Sequence, residues 1–204
     1  MARPPATSRR ATSERILDAA AAAFATYGPH AARLADIAAS VGIRRPSLLY
    51  HFPTKERLYA AVVDRAFRQL GDALSQAMSP GDSFVERFDR VLAAFVAFID
   101  EHAELARILL RELLAADGPG RAIVADRVAP ILDVVERFIR IDGRGVIRGG
   151  LAIRGALLQV ASGVVLRAAA GELGEALWGP NDPTYALAHT LFFPDTSNPS
   201  PAQE

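Results

Sequence analysis

The stretch that decides the fold is VGIRRPSLLYHFPTKE, residues 41–56. Gly42 is typical of a tight turn after a helix, and Pro46 stands where a first helical turn favours proline. Leu48 and Phe52 are four residues apart, so they share one face of the predicted short helix. That helix is expected to end at Phe52, because the residue before a proline rarely stays helical. The stretch therefore predicts a turn and a short helix with cations at its start and an apolar inner face.

Two helices precede this one. Residues 12–27 carry apolar side chains with a period of 3.6, Thr12 is a suitable N-cap, and Gly28 followed by proline ends the helix. A shorter helix follows over about residues 34–41. Three helices, of which the last two are joined by a tight turn, predict a helix-turn-helix. In such a unit the second helix of the pair enters the major groove of DNA.

The charge distribution agrees with this prediction. The chain has 204 residues, and its 23 Lys and Arg balance 23 Asp and Glu. Residues 1–57, however, carry nine cations and four anions, which leaves the remainder with a net charge of −5. A basic module beside an acidic body indicates that the first part meets a polyanion.

The remaining sequence also predicts helices and no strand. Thr54 is expected to cap a fourth helix that runs to about Met78. Ser83 and Glu86 form a capping-box pattern that opens a helix through about Asp100. Further helices are expected over residues 104–116, 121–140, 151–170 and 184–193, and Trp178-Gly179-Pro180 is expected to end a loop. The predicted fold class is all-α.

The candidate DNA-binding residues lie at the start of the third helix. Arg45 can donate two parallel hydrogen bonds to guanine O6 and N7. Ser47 and Tyr50 are three residues apart and lie on one side of the helix. Lys55 and Arg57 open the next helix, where side chains and backbone N–H groups can bind phosphate.

These residues resemble the TetR family of bacterial transcriptional regulators. The similar run is Ile16-Leu17-Asp18-Ala19-Ala20, Phe24, Tyr27-Gly28, Asp36-Ile37-Ala38, Val41-Gly42-Ile43 and Ser47 to Glu56. The resemblance covers residues 12 to about 60. It implies an N-terminal three-helix DNA-binding domain, a larger helical bundle for ligand binding and dimerisation, and binding as a dimer to a near-palindromic operator. It also implies DNA contacts at Arg44, Arg45, Pro46, Ser47, Tyr50 and His51 and a phosphate contact at Lys55.

Some positions depart from the family pattern. Ala32 and Arg33 stand where family members often have a capping Thr or Ser, and the loss of a cap costs about 1 kcal/mol. Arg44 replaces a common Ser, and Leu49 stands where Tyr is frequent. Structural alternatives also stay open: the arginine pair and Lys55 as solvated surface, Tyr50 as a core aromatic and His51 as a helix C-cap.

The predicted effector pocket is assigned to the body of the protein. An apolar stripe with steps of three and four runs through residues 84–99, which by itself indicates helix core. The family resemblance implies an effector cavity among these helices, with candidate lining residues Phe88, Leu92, Phe95, Gln159 and Ser162. Gln159 and Ser162 either line the cavity or form hydrogen bonds within a dimer interface. The expected effector is an apolar or aromatic small molecule.

The predicted dimer face is centred on residues 151–170. This helix is apolar around most of its circumference, so it must be buried on all sides. At this chain length that pattern indicates a second subunit, with burial within one chain as the alternative. The candidate interface residues are Leu157, Val160, Ala161, Val164 and Leu191.

The main rival to a regulator is a small helical enzyme. The sequence lacks a G-x-S-x-G elbow and an H-E-x-x-H motif, its four histidines are far apart, and it contains no cysteine. We therefore expect no catalytic residues, no metal and no cofactor. The longest apolar run, residues 156–166, has 11 residues and is interrupted by Gln159 and Ser162, while a membrane span needs about 20. With no visible export signal, a cytoplasmic location is expected.

The resulting prediction is a homodimeric repressor that binds operator DNA and is released by a small-molecule effector. An activator, or an effector-independent DNA-binding protein of the same fold, is the alternative. The predicted organisation has four parts. These are a disordered basic arm (1–10), a helix-turn-helix domain (11–57), an effector-binding and dimerisation domain (58–193) and a disordered tail (194–204).

Overall fold

A computed structural model describes residues 6–115 and 121–194 of the chain. These residues form helices and no strand, which confirms the predicted all-α class. The helices are α1 Ala6–Ala31, α2 Leu34–Ser40, α3 Arg45–His51, α4 Lys55–Ala77, α5 Phe84–Glu101, α6 Ala103–Leu114, α7 Arg121–Asp142, α8 Ile153–Ala170, α9 Glu172–Trp178 and α10 Thr184–Phe192.

The starts of α4 and α5 follow local signals in the sequence. Thr54 caps α4, because the backbone N–H of Arg57 donates to its hydroxyl over 3.1 Å. The capping box that opens α5 is confirmed: the N–H of Ser83 donates to Glu86 Oε2 over 2.9 Å, and the N–H of Glu86 donates to Ser83 Oγ over 3.3 Å. The short helix α9, by contrast, was not predicted from the sequence.

Two predictions concern the chain ends. Residues 6–10 were expected to be part of a disordered arm, but their backbone forms the beginning of α1. The rest of that arm, residues 1–5, lies outside the described residues. So does the predicted disordered tail after Pro194.

The chain divides into two compact units. Unit 1 takes the residues up to Gln69 together with 102–128, and unit 2 takes 70–101 and the residues from Ala129 onward. The predicted domain boundary after residue 57 falls inside unit 1, near the beginning of α4.

In unit 1, α1 packs against α2 and α6. Ile16, Ala20 and Phe24 on α1 are fully buried, as their spacing of three and four residues predicts. From α4, Leu58 and Val63 enter the same core. Burying one such side chain stabilises the fold by about 1.5–3 kcal/mol, so this core holds the three N-terminal helices in a fixed arrangement.

In unit 2, α8 packs against α5, α9 and α10. Its buried stripe is Ile153, Ala156, Val160 and Val164. An aromatic cluster fills the neighbouring core, with ring centroids 5.0–6.2 Å apart, and consists of Phe84, Phe88, Phe138, Phe192 and Phe193.

Helix α8 is also the one described helix whose length and apolar composition would suffice to cross a membrane. It contains Arg154 near its start and Arg167 near its end, and both form ion pairs with carboxylates of unit 2. The buried stripe packs within unit 2, and 28% of the helix is buried in all.

Candidate nucleic-acid interface

The turn between α2 and α3 depends on a glycine. Gly42 has φ 75°, a left-handed conformation that side chains with a Cβ rarely adopt. Its N–H donates to the carbonyl of Ala39 over 3.0 Å, and the N–H of Ile43 donates to that of Ala38 over 3.0 Å. These two bonds satisfy carbonyls at the end of α2 and direct the chain into α3.

The inner face of α3 is fixed by one leucine. Leu48 is fully buried, beside the equally buried Ile37 and Ala38 of α2. The turn is fastened to α1 as well, because Arg15 Nη2 donates to the carbonyl of Val41 over 2.7 Å. Since α3 has only seven residues, this anchor decides which side chains face outward.

The outer face of α3 carries most of the predicted DNA-binding residues. Arg44, Arg45, Pro46 and Ser47 are exposed, and Tyr50 is 61% exposed. Tyr50 therefore is not a core aromatic, the alternative that the sequence left open. His51 is half-buried, and its ring lies edge-on to that of Tyr50 at 5.7 Å. The helix thus presents cations and a hydroxyl at its start and a phenol near its end.

Lys55 forms hydrogen bonds within the protein that the sequence did not predict. Its Nζ donates to the carbonyl of His30 over 2.7 Å and is 3.3 Å from that of Ala32. Both carbonyls belong to the junction between α1 and α2, so the lysine connects this junction to the start of α4. The predicted contact between Lys55 and phosphate stays a prediction.

A groove of about 490 Å³ lies beside this lysine. It carries three cations, Arg33, Arg45 and Lys55, and is otherwise lined by His30, Ala31, Ala32, Leu34 and Ala35. From the sequence, Arg33 is a residue that cannot cap α2 with its side chain, and the structure shows no side-chain cap bond from it. Cationic side chains beside a groove are suited to phosphate oxygens.

Two carboxylates of α1 form ion pairs with one arginine of α4. Arg65 on α4 forms ion pairs with Glu14 over 3.0 Å and with Asp18 over 2.8 Å. Both acidic side chains are more than half exposed, so each pair contributes at most about 1 kcal/mol. Together, the two ion pairs restrict the orientation in which α1 packs against α4.

The predicted pocket residues do not share one environment. Phe88 and Leu92 are buried in unit 2, and Phe95 is half-buried. Gln159 and Ser162 are exposed on α8, where the Ser162 hydroxyl donates to the carbonyl of Gln159 over 2.9 Å. The structure therefore separates the two polar residues from the buried aromatic ones.

The predicted dimer residues are also divided. Val160 and Val164 are 7% and 1% exposed and belong to the core of unit 2. Leu157, Ala161 and Leu191 are half-buried. The exposed apolar side chains of α8 are instead Leu158 and Leu166, each 47% exposed.

Clustered metal ligands do not occur in residues 6–115 and 121–194, where no group of three or more His, Cys, Asp or Glu side chains is placed to hold an ion. Across the same residues, every buried side-chain nitrogen or oxygen has a hydrogen-bond partner.

Comparison with known proteins connects this geometry to a family. Residues 16–62 match the family model for bacterial regulatory proteins of the tetR family. RutR of Escherichia coli K12, an HTH-type transcriptional regulator, is 38% identical over 97 residues, which cover 48% of this chain and 42% of RutR. FasR of Mycolicibacterium smegmatis, an HTH-type transcriptional activator, is 32% identical over 95 residues, which cover 47% of this chain and 43% of FasR. The match therefore spans less than half the length of these relatives.

The similarity in fold covers more of this chain than the similarity in sequence does. The solved structure of a SmeT–triclosan complex matches with a TM-score of 0.70 at 21% identity, covering 95% of this chain and 100% of SmeT. The family model accounts for the helix-turn-helix, and the structural likeness extends the fold to the helices that follow. By the sequence of its helix-turn-helix and by its fold, this chain is similar to the tetR family of bacterial regulatory proteins.

Proposed function

We propose that this protein is a sequence-specific transcriptional regulator that binds a near-palindromic operator as a homodimer, represses transcription there and is released by a small-molecule effector. The observation that carries the proposal is the outer face of α3. Arg44, Arg45, Ser47 and Tyr50 are exposed on it, while Leu48 is fully buried beneath it. A short helix fixed from within and exposed at its N-terminal end has the form that major-groove recognition requires.

The residues of this face take different roles in the proposal. Arg45 contacts a guanine through its guanidinium, and Ser47 and Tyr50 contact neighbouring base edges or phosphates. Arg44, Pro46 and His51 complete the contact surface at the two ends of α3. Lys55 and Arg33 neutralise phosphates along the adjacent groove, which gives affinity without sequence preference.

The proposed dimer face is the exposed side of α8 together with that of α10. Leu158 and Leu166 on α8 and Leu187 on α10 are each more than 40% exposed, although α8 and α10 pack together. Exposed apolar side chains on adjacent helices favour association with a second copy. Leu157, Ala161 and Leu191, which are half-buried beside them, extend the same surface.

The proposed effector site is in the aromatic interior of unit 2. Phe88 and Leu92 face this interior and Phe95 lies at its edge, which favours an apolar or aromatic ligand. The SmeT structure contains triclosan, and its fold matches nearly the whole of this chain. Effector binding shifts the dimer toward the conformation that has the higher affinity for the effector. Repression ends if that conformation binds the operator weakly.

A regulator rather than an enzyme is favoured by the same observations. RutR and FasR are both transcriptional regulators. We accordingly propose a non-enzymatic protein that acts in the cytoplasm, where operator DNA is found.

The test is selection of binding sites from random duplex DNA by the purified full-length protein, at one stated salt concentration. An enriched inverted repeat, bound far more tightly than unrelated DNA, is the expected result. Specific binding typically exceeds non-specific binding by about 10³–10⁷-fold. Failure of a folded dimer to enrich any sequence, with and without candidate apolar ligands, would contradict the proposal.

Transcriptional activation is the second candidate, because FasR is named an activator. A reporter gene with the selected site placed over its promoter distinguishes the two signs of regulation. Lower expression in the presence of the protein supports repression, and higher expression supports activation. An operator affinity that no ligand changes would instead favour the effector-independent alternative.

A further inference from the structure

Helix α1 contains a break that sets the path of the chain into the helix-turn-helix. Gly28 has φ 78° and ψ 165°, so the helix is interrupted there and turns before Pro29. The N–H of Ala32 then donates to the carbonyl of Gly28 over 3.1 Å, which closes the last turn before α2. The direction in which α2 and α3 leave α1 therefore depends on the backbone at Gly28.

Arg111 on α6 occupies the space that this glycine leaves free. A Cβ at Gly28 would overlap the Arg111 Nη1 atom and lie 3.1 Å from its Cζ. The other terminal nitrogen, Nη2, donates to the carbonyl of Ala25 over 3.2 Å. A cation at the end of a helix interacts favourably with its last carbonyls and with the helix dipole. Arg111 thus caps the first part of α1 and contacts the break directly.

The residue after Arg111 fixes α6 in unit 1. Glu112 is 2% exposed and accepts a hydrogen bond of 2.6 Å from the hydroxyl of Tyr59 on α4. The Tyr59 ring in turn lies edge-on to Phe24 of α1 at 5.0 Å. Two consecutive residues of α6 thereby contact both helices that flank the α2–α3 pair, and the buried Glu112 holds the backbone of α6 in place beside Arg111.

We propose that Arg111 is a positioning residue for DNA recognition: its contacts with Gly28 and Ala25 hold the break in α1 at the angle that presents α3 to the operator. This inference rests on the proposed DNA-binding function. A second attachment of the same segment comes from Lys55, whose Nζ donates to the carbonyls of His30 and Ala32. Removal of Arg111 leaves this second attachment and the Tyr59–Glu112 bond in place.

The first test compares Arg111→Ala with Arg107→Ala, a matched loss of one arginine from the exposed side of the same helix. We expect Arg111→Ala to bind the selected operator at least tenfold more weakly, with binding to unrelated duplex DNA changed less than twofold and the unfolding temperature within a few degrees of wild type. Arg107→Ala should stay within twofold in both assays. Arg111→Lys should recover part of the operator affinity, because its ammonium group can still donate to Ala25. Operator binding of Arg111→Ala within twofold of wild type would overturn the proposal, as would equal losses on operator and unrelated DNA.

A second test measures positioning without DNA. Amide hydrogen exchange in Arg111→Ala should be at least tenfold faster at Ala32 and through α2, while buried amides around Phe24 keep their protection. Unchanged exchange at Ala32 would refute the positioning role even if the protein bound no operator. Selection that yields no site for the wild type would contradict the proposed function alone, so the two failures are distinguishable.

The contact itself is tested by a double-mutant cycle. Gly28→Ala alone places a Cβ against the Arg111 guanidinium, whereas in the Arg111→Ala background that overlap is absent. The fold-loss of operator affinity in the double variant should therefore be at least threefold smaller than the product of the two single fold-losses. Alternatively, the fold-increase in the exchange rate at Ala32 should be at least threefold smaller than the product of the two single increases. Multiplicative effects would mean that the two residues do not act on one another.

Discussion

Replacement of Tyr59 by Phe tests the polar contact at the centre of unit 1. The Tyr59 hydroxyl donates to Glu112 Oε1 over 2.6 Å, and both residues are 2% exposed. Burial, together with the neighbouring Glu112 carboxylate, raises the pKa of Tyr59 well above its usual value. The phenol therefore stays protonated and acts as a donor wherever the protein is folded. The substitution keeps the ring against Phe24 and removes only the hydroxyl.

The size of the effect follows from the burial of Glu112. A buried carboxylate that loses a donor costs about 1–3 kcal/mol in the free energy of unfolding. For a chain of this length each kcal/mol lowers the unfolding temperature by about 2–4 °C, which gives a decrease of about 2–12 °C. Tyr185→Phe is the matched control, because Tyr185 is 40% exposed and the same change there should stay within about 0.5 kcal/mol.

The assay is thermal and urea unfolding followed by circular dichroism at constant protein concentration. The double variant with Tyr59→Phe and Glu112→Met removes both polar groups and should be more stable than Tyr59→Phe alone, because no buried carboxylate is left. An unfolding temperature of Tyr59→Phe equal to that of wild type would refute the reasoning. So would a double variant whose loss equals or exceeds the sum of the two single losses.

Three further predictions concern the other contacts. Arg45→Ala should weaken operator binding by about 1–3 kcal/mol, about 5–150-fold, and relax the preference at one base pair, and an unchanged preference in repeated site selection would remove Arg45 from the base-contacting residues. Leu166→Asp should shift the protein from dimer to monomer in light scattering, and a dimer that persists at micromolar concentration would exclude this part of α8 from the interface. The hydroxyl and the backbone N–H of Ser83 donate to the Glu86 carboxylate and lower its pKa below 4.5. The stability that these two hydrogen bonds contribute is therefore present above pH 4.5 and is lost as the pH falls through the lowered pKa of Glu86. Glu86→Gln should therefore be less stable than wild type at pH 7, and the difference in urea midpoint should shrink between pH 5 and pH 3.

The helix-turn-helix was predictable because its signals are local. Gly42 marks the turn, Pro46 marks the start of α3, and Leu48 lies on the inner face, all within seven residues. The capping box at Ser83 and Glu86 is equally local and sets the start of α5. Such features depend on backbone geometry over one or two turns, so the sequence alone contains the information that defines them.

The contacts that orient this motif were not predictable in the same way. Arg111 is 86 residues from Ala25, and Tyr59 is 53 residues from Glu112. Nothing in the sequence around Arg111 and Glu112 indicates that these side chains contact α1 and α4. The period of a helix places a residue on a face, but it does not identify the helix that covers that face. For Lys55, the sequence showed its charge and not the two carbonyls that bind it.

Helix α9 was missed for a local reason. Its seven residues are bounded by Gly171 and Gly179, both with positive φ, and contain Gly174. Glycine lowers helix propensity by about 1 kcal/mol, so the segment resembles a loop by composition. The backbone nevertheless closes a turn there, with the N–H of Gly174 donating to the carbonyl of Gly171 over 2.8 Å.

Helix α8 shows where the apolar pattern becomes ambiguous. Because nearly every position is apolar, the sequence predicted burial on all sides without indicating which stripe faces the chain's own core. The structure buries Val160 and Val164 within unit 2, and the opposite stripe carries Leu158, Gln159, Ser162 and Leu166. Since both polar residues lie on that exposed stripe, it favours their placement in the proposed dimer face over the effector pocket. In that face, the exposed Gln159 and Ser162 side chains find hydrogen-bond partners only in some alignments of the two copies, so they can select one alignment. The leucines supply the buried apolar area.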